Sequence, residues 1–274
     1  MESMSEKKHL SISQLNMLSF CGEQYRRRYI LGEKRPPGVS LLVGSSVDDA
    51  VSANLNNKII NKELLPIEKV LDIARDTLNH KWDEVEVALD DNDKAIGRVA
   101  TRGKAVDKAV RLSELHAVRL APSINPTHVQ RKWEIELDGY PVDLLGFIDV
   151  QEGNKAIRDT KTSGKSPAKN AADTSDQLTI YAMAAYVLDG VIPERLTLDY
   201  LVDLKTPKES IIETTRTVDD FKPLLARIEN ACTVLEKGSF VPARQDNPLC
   251  SPKWCGYALT CRYVRKSIFA VDGE

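Results

Sequence analysis

The chain has 274 residues, 42% of them hydrophobic, and a formal net charge of −2. That suits one large domain, or one domain with an appended helical module, and it excludes a protein that coats nucleic acid by bulk charge; a nucleic-acid groove must be a local basic patch. No stretch approaches the roughly 18 consecutive apolar residues of a membrane helix, and MESMSEKKHLSISQL has no signal-peptide core, so a cytoplasmic protein with reduced thiols and no membrane partner is expected.

Residues 1–10 read as a flexible polar tail. Ser11 or Ser13 can cap a helix over SQLNMLSFCGEQYRRRYILG, which carries Cys21. Its arginines interleave with Tyr25 and Tyr29, a pattern that suits phosphate and base contacts, or else a solvated face with a tyrosine packed inward. Gly32 and Pro36-Pro37-Gly38 end it. A second helix begins near Val43, where Gly44 allows close backbone approach and Asp48 and Asp49 stand in an apolar turn. Residues 63–90 predict an amphipathic helix and 91–120 a further surface helix, closed by Pro122 and Pro126. Residues 11–128 therefore form a helical part.

From Val129 the period changes. VQRKWEIELDGYPVDLLGFIDV alternates, turns at Asp138-Gly139, and then becomes continuously apolar. GFIDVQEGNKAIRDTK reads as a β-hairpin whose apolar run includes Leu144, Leu145, Phe147, Ile148 and Val150, with Glu152-Gly153-Asn154 at the turn. A polar loop carries Lys165 and Lys169. A helix follows from about Ser175 to Leu188, with Gln177 and Tyr181 four apart on one face. LTLDYLVDL and IIETTRTV predict strands, and Asp219 to Lys237 an amphipathic helix. Residues 129–245 thus form an α/β core behind the helical part, and 246–274 a separate cysteine-bearing segment.

Two groups of residues carry chemistry. Asp149 interrupts an apolar strand, which is costly unless it is paired or binds a cation. Asp159 and Lys161 are two apart on the next strand and share a face. The two carboxylates offer hard oxygen ligands for Mg²⁺ or Mn²⁺; a surface ion pair is the plainer alternative. Glu134, on the preceding strand, is a weaker metal candidate. The second group is Cys250, Cys255 and Cys261, flanked by prolines and glycine, with Cys21 as a distant fourth thiolate. Thiolates prefer Fe–S clusters or Zn²⁺, and this spacing is not that of paired zinc knuckles. Cys232 sits among apolar helix residues and reads as a core thiol.

Together these features resemble the RecB-like branch of the PD-(D/E)XK nucleases, which includes CRISPR-associated single-domain nucleases and the AddB nuclease domain. The matching residues are Asp149, Asp159-Thr160-Lys161, the Q-x-x-x-Y pair Gln177 and Tyr181, and the one-plus-three cysteines, spanning roughly Ser11 to Val264. The resemblance implies a restriction-endonuclease-like core, a mixed central sheet flanked by helices. It implies a 4Fe–4S cluster on Cys21, Cys250, Cys255 and Cys261. Mg²⁺ or Mn²⁺ would sit on Asp48, Asp149 and Asp159, and Lys161 would orient the attacking water or stabilise phosphate charge. Gln177 and Tyr181 would contact DNA or organise the site. The family commonly has G-x-x-x-His on the early helix; here Gly44-Ser45-Ser46-Val47-Asp48 puts an aspartate in that place, with Asp49 as a one-residue alternative. The implied activity is single-strand DNA exonuclease, in recombination, repair, phage DNA processing or CRISPR adaptation. No G-x-x-x-x-G-K-[ST] loop is present, so unwinding falls to a helicase or recombination partner. Two other readings stay open: a catalytically impaired iron–sulfur DNA-binding or assembly subunit, and a zinc-stabilised protein with unrelated chemistry.

Overall fold

The computed structural model describes residues 8–252 and 254–264. Residues 1–7 of the expected tail, Lys253, and residues 265–274 of the cysteine segment lie outside them. The expected division at residues 11, 129 and 246 does not match the packing. The chain forms two compact units instead. One contains residues 36–135 and 145–224; the other contains the described residues among 1–35, 136–144 and 225–274. The helix carrying Asp48 thus belongs with the hairpin, and Cys21 belongs with the C-terminal cysteines.

The larger unit opens with α3 (Val39–Asn61), after β1 (Lys8–Leu10), α1 (Ile12–Phe20) and α2 (Gly22–Tyr25) of the smaller unit, and continues through α4 (Ile67–Glu84), α5 (Asp91–Ile96) and α6 (Arg98–Leu115). The last ends in a π-helical turn, His116–Leu120. Asp90 caps α5 through a capping box with Asp93. The region 91–120 is not a surface helix. Gly97, at φ +85°, divides it, and Ala105, Ala109 and Leu112 are buried in a cluster with Val47, Leu55, Leu78 and Trp82. The small residues let α6 approach α3 and α4 closely, and they give its buried face only a weak hydrophobic signal.

Five later strands complete this unit's sheet: β2 (His128–Ile135), β3 (Val142–Glu152, from residue 145 onward), β4 (Ala156–Ser163), β5 (Arg195–Val202) and, at the end, β6 (Lys208–Thr214). β2 pairs with β3. β3 and β4 are antiparallel with Val150 opposite Arg158. β4 and β5 are parallel, with Asp159 beside Leu198 and Lys161 beside Tyr200, and β5 and β6 are antiparallel. The sheet is therefore mixed, and the helices α3, α6 and α7 (Asp176–Asp189) pack on it. A parallel β4–β5 pair needs a crossover, and α7 supplies it. Ser175 caps α7 by accepting the Leu178 N–H, and Gly190, in the left-handed conformation, ends it.

Two local features fix the hairpin. A Cβ on Gly146 would lie 2.4 Å from the ring of buried Trp133, so only glycine lets that ring cross β3. On the face of β4 opposite Asp159, Arg158 donates to Glu152 at 2.7 Å and to Asp199 at 2.8 Å. This buried, multiply bonded ion pair ties β3, β4 and β5 in register.

The smaller unit holds β1 (Lys8–Leu10), α1 (Ile12–Phe20), α2 (Gly22–Tyr25) and most of α8 (Phe221–Lys237). Residues 8–10 are not tail: they pair in parallel with Val142–Leu144. Ser11 caps α1 through a capping box with Gln14. The helix expected across Cys21 is broken there. Cys21 is extended, and Gly22 donates its N–H to the Val241 carbonyl at 2.7 Å. A Cβ on Gly22 would meet that backbone at 2.7 Å. The chain continues through α2 into a π-helical turn, Arg26–Ile30. Cys232 is buried on α8, as expected of a core thiol.

Candidate active site

The hairpin brings its acidic residues together. Continuing the β3–β4 register by one residue sets Asp149 opposite Asp159, near enough for the Asp149 carboxyl to act on that of Asp159. Lys161 reaches back along β4, its Nζ 2.7 Å from one Asp159 oxygen and 2.9 Å from the other. Tyr181, from α7, donates its hydroxyl to Asp149 at 3.1 Å, and the Thr160 backbone N–H also bonds Asp149. Gln177, one turn earlier, bonds the Tyr181 hydroxyl. Five of the expected residues are therefore in one connected network.

Asp48 joins them from α3, where Gly44 faces Thr162 on β4. Its carboxylate lies close enough to Asp159 and Lys161 to feel both charges. Asp49 does not: it points away and pairs with Lys81 at 2.6 Å. One residue of helical rotation, about 100°, separates the two aspartates and makes Asp48 the inward one. Glu134 is exposed and pairs with Lys132 at 3.5 Å, away from this network.

The electrostatics are those of three carboxylates forced into a shared low-dielectric space. Burial, then the charges of Asp49 and Asp159, pushes the Asp48 carboxyl up to about 6. Burial and Asp48 raise Asp149 to about 6. Asp159 is 1% exposed; burial raises it to about 7, with the Lys161 ammonium opposing and Asp149 adding to the rise. Burial works to lower the Lys161 pKa, but the neighbouring Asp159 charge outweighs it and keeps the ammonium protonated. Such a group is held either by shared protons or by a cation. The oxygen-only donor set suits a hard divalent ion. Among the described residues, no three His, Cys, Asp or Glu side chains stand as a finished ligand set. Lys161 occupies the Asp159 side of the cluster as a cation in its own right.

Three contributors were not legible in the sequence. The Thr160 N–H is a backbone group and has no residue signature. Gln130, on β2, donates its amide to both oxygens of Asp48, at 3.2 and 3.3 Å. Phe147 belongs to the hairpin's apolar run yet is 47% exposed, two residues before Asp149 on the same face of β3.

In the smaller unit, Cys21, Cys250, Cys255 and Cys261 line one pocket, and all are free thiols. Burial raises the Cys250 thiol, and the other three sulfurs add to the rise. Burial also raises Cys255, against a hydrogen bond from the Tyr257 backbone N–H. The Ala243 N–H points at the Cys21 sulfur, 3.4 Å away. Tyr257 is gripped between Arg27 and Arg35, 4.6 and 4.8 Å from its ring centre, and its hydroxyl donates to the Glu33 carbonyl. These contacts hold the cysteine segment against the N-terminal residues of the same unit.

A family profile for the PD-(D/E)XK nuclease superfamily matches residues 9–262, and the chain belongs to that superfamily. Among solved structures, a candidate exonuclease from Eubacterium rectale matches at a TM-score of 0.59 and 15% identity, over 96% of this chain and 93% of that one. That likeness speaks for the fold, a mixed sheet flanked by helices of the restriction-endonuclease-like kind. SSO0001 matches at a TM-score of 0.39 and 15% identity, over 96% of this chain and 89% of that one, too low to carry weight. No curated protein matches. The protein is thus a nuclease by family, and no helix among the described residues is long and apolar enough to cross a membrane.

Proposed function

We propose that the protein is a metal-dependent DNA exonuclease that acts on single strands, with a 4Fe–4S cluster in its smaller unit. The observation that carries the nuclease reading is the contact of Asp149, Asp159 and Lys161 across one β-hairpin. Asp48, Asp149 and Asp159 would hold Mg²⁺ or Mn²⁺, which would supply Lewis-acid stabilisation of the phosphate and lower the pKa of a bound water.

The chain's own residues do the rest. Lys161 carries a fixed positive charge at the mouth of the cluster, its side chain 43% exposed, where it can orient a water and stabilise charge developing on the phosphate. Tyr181 holds Asp149 in one rotamer by donating to it, and Gln177 holds the Tyr181 hydroxyl. Phe147 offers an exposed ring beside Asp149, a surface on which an unpaired base can stack; this supports single-stranded substrate. The cluster reading is supported by the four thiols facing one pocket and by backbone N–H groups aimed at the Cys21 and Cys255 sulfurs. The activity would serve recombination, repair, phage DNA processing or CRISPR adaptation, alongside a helicase or recombination partner.

The test is cleavage of 5′- and 3′-labelled single strands with Mg²⁺ or Mn²⁺, by the wild type and by Asp159→Ala. Products that appear stepwise from an end and vanish in the variant support the reading. Full activity in the variant rejects it. The second reading, a catalytically impaired DNA-binding or assembly subunit, is favoured by Asp48 standing where the family commonly has histidine. Binding of the labelled strand without products would select it.

A further inference from the structure

Gln130 has a φ of +50°, in the left-handed region that residues other than glycine rarely adopt. Its neighbours show what this does to β2. Val129 packs on the α3 and α6 cluster that includes Val150. Arg131 donates to Gln151 at 2.7 Å and grips Asp189 at 2.7 and 2.8 Å. Val150 and Gln151 project to opposite faces of β3, so β2 changes face between 129 and 131, as a bulged strand does. Glycine would satisfy that backbone most easily. The position carries a long amide instead, and its Nε2 donates to both oxygens of Asp48, at 3.3 and 3.2 Å.

We propose that Gln130 is a positioning residue that fixes the Asp48 carboxylate for a divalent cation. The claim rests on the reading of Asp48, Asp149 and Asp159 as cation ligands. Asp48 stands on a helix and approaches the hairpin from outside it, so its side chain needs a partner to choose a rotamer. The competing cation is Lys161, whose charge acts on Asp48. The Gln130 amide uses one lone pair on each Asp48 oxygen and leaves the others for a cation. A strained backbone retained with a side chain at a site is the pattern expected where that side chain has work there.

The test uses Gln130→Gly, which suits the backbone and removes only the amide. Melting temperature is measured in chelator, and Mn²⁺ affinity is measured by calorimetry without DNA. The expected result is a melting temperature equal to or above wild type with Mn²⁺ bound about tenfold more weakly. In an Asp48→Ala background the same substitution should leave Mn²⁺ affinity unchanged. Unchanged affinity in Gln130→Gly, or an equal loss with and without Asp48, overturns the role of Gln130 alone. A wild type that binds no Mn²⁺ overturns the underlying ligand reading as well.

Discussion

The crowding of Asp48, Asp149 and Asp159 makes a stability prediction that needs no DNA. Asp159→Asn keeps the shape and removes one charge. The Asp159 carboxyl rises from 3.8 to about 7 on folding, chiefly through burial. Each pH unit is about 1.4 kcal/mol, so the ionised form costs the native state at most about 4 kcal/mol at pH 8. Because the folded state holds its proton more tightly, stability is fully present below about pH 4 and is lost as pH rises through about 7. Asparagine removes that loss; the contact with Lys161 is already counted in the value of about 7, since the ammonium opposes the rise. The gain at pH 8 in chelator is at most about 4 kcal/mol, and at about 2–4 °C per kcal/mol that is no more than roughly 16 °C in melting temperature for a chain of this size. Thermal melts at pH 4 and pH 8 measure it. The variant should match the wild type or fall slightly below it at pH 4 and exceed it at pH 8. A variant less stable at both, or equally shifted at both, would refute the idea that ionised Asp159 is a burden the site retains for function.

Other expectations follow from the same contacts. Lys161→Ala should lower cleavage at least about 100-fold in a single-turnover assay while Mn²⁺ still binds, since the ammonium acts on charge forming at the phosphate. Tyr181→Phe removes the 3.1 Å bond to Asp149 and should slow cleavage about tenfold, with a stability loss of about 1 kcal/mol by urea unfolding. Phe147→Ala should weaken single-strand binding by about 1–3 kcal/mol in fluorescence anisotropy and leave duplex binding unchanged. Cys21→Ser should abolish the broad absorbance near about 400 nm expected of an iron–sulfur protein, whereas Cys232→Ser should keep it; absence of that band in the wild type would favour zinc.

The hairpin was legible because its alternation, its Glu152-Gly153-Asn154 turn and its D-x-K spacing are all local. The start of α7 near Ser175 was legible for the same reason. Asp48 was legible only as one of two neighbours, since choosing between it and Asp49 requires knowing which side of α3 meets the sheet. The exposure of Phe147 was not legible, because strand periodicity cannot tell a buried apolar run from one with an open face. The break at Cys21 was hidden because it depends on Gly22 packing against Val241, more than two hundred residues away in the chain. Gln130 left no trace in the pattern: its value lies in a backbone angle, and glutamine is not a residue that announces a left-handed turn. The α6 segment reads as surface because its buried face is mostly small residues, Thr101, Ala105, Ala109 and Ser113 beside Leu112, which give a weak hydrophobic signal.

The central claim is that a divalent cation binds where Asp48 reaches the β3–β4 hairpin. The most direct measurement is an anomalous difference map from a crystal grown or soaked with Mn²⁺. A peak roughly 2–2.3 Å from oxygens of Asp149 and Asp159, with Asp48 joining and Lys161 drawn off Asp159, is the predicted result. A map with no peak at these carboxylates, from protein that cleaves DNA with Mn²⁺ under the same conditions, would contradict it.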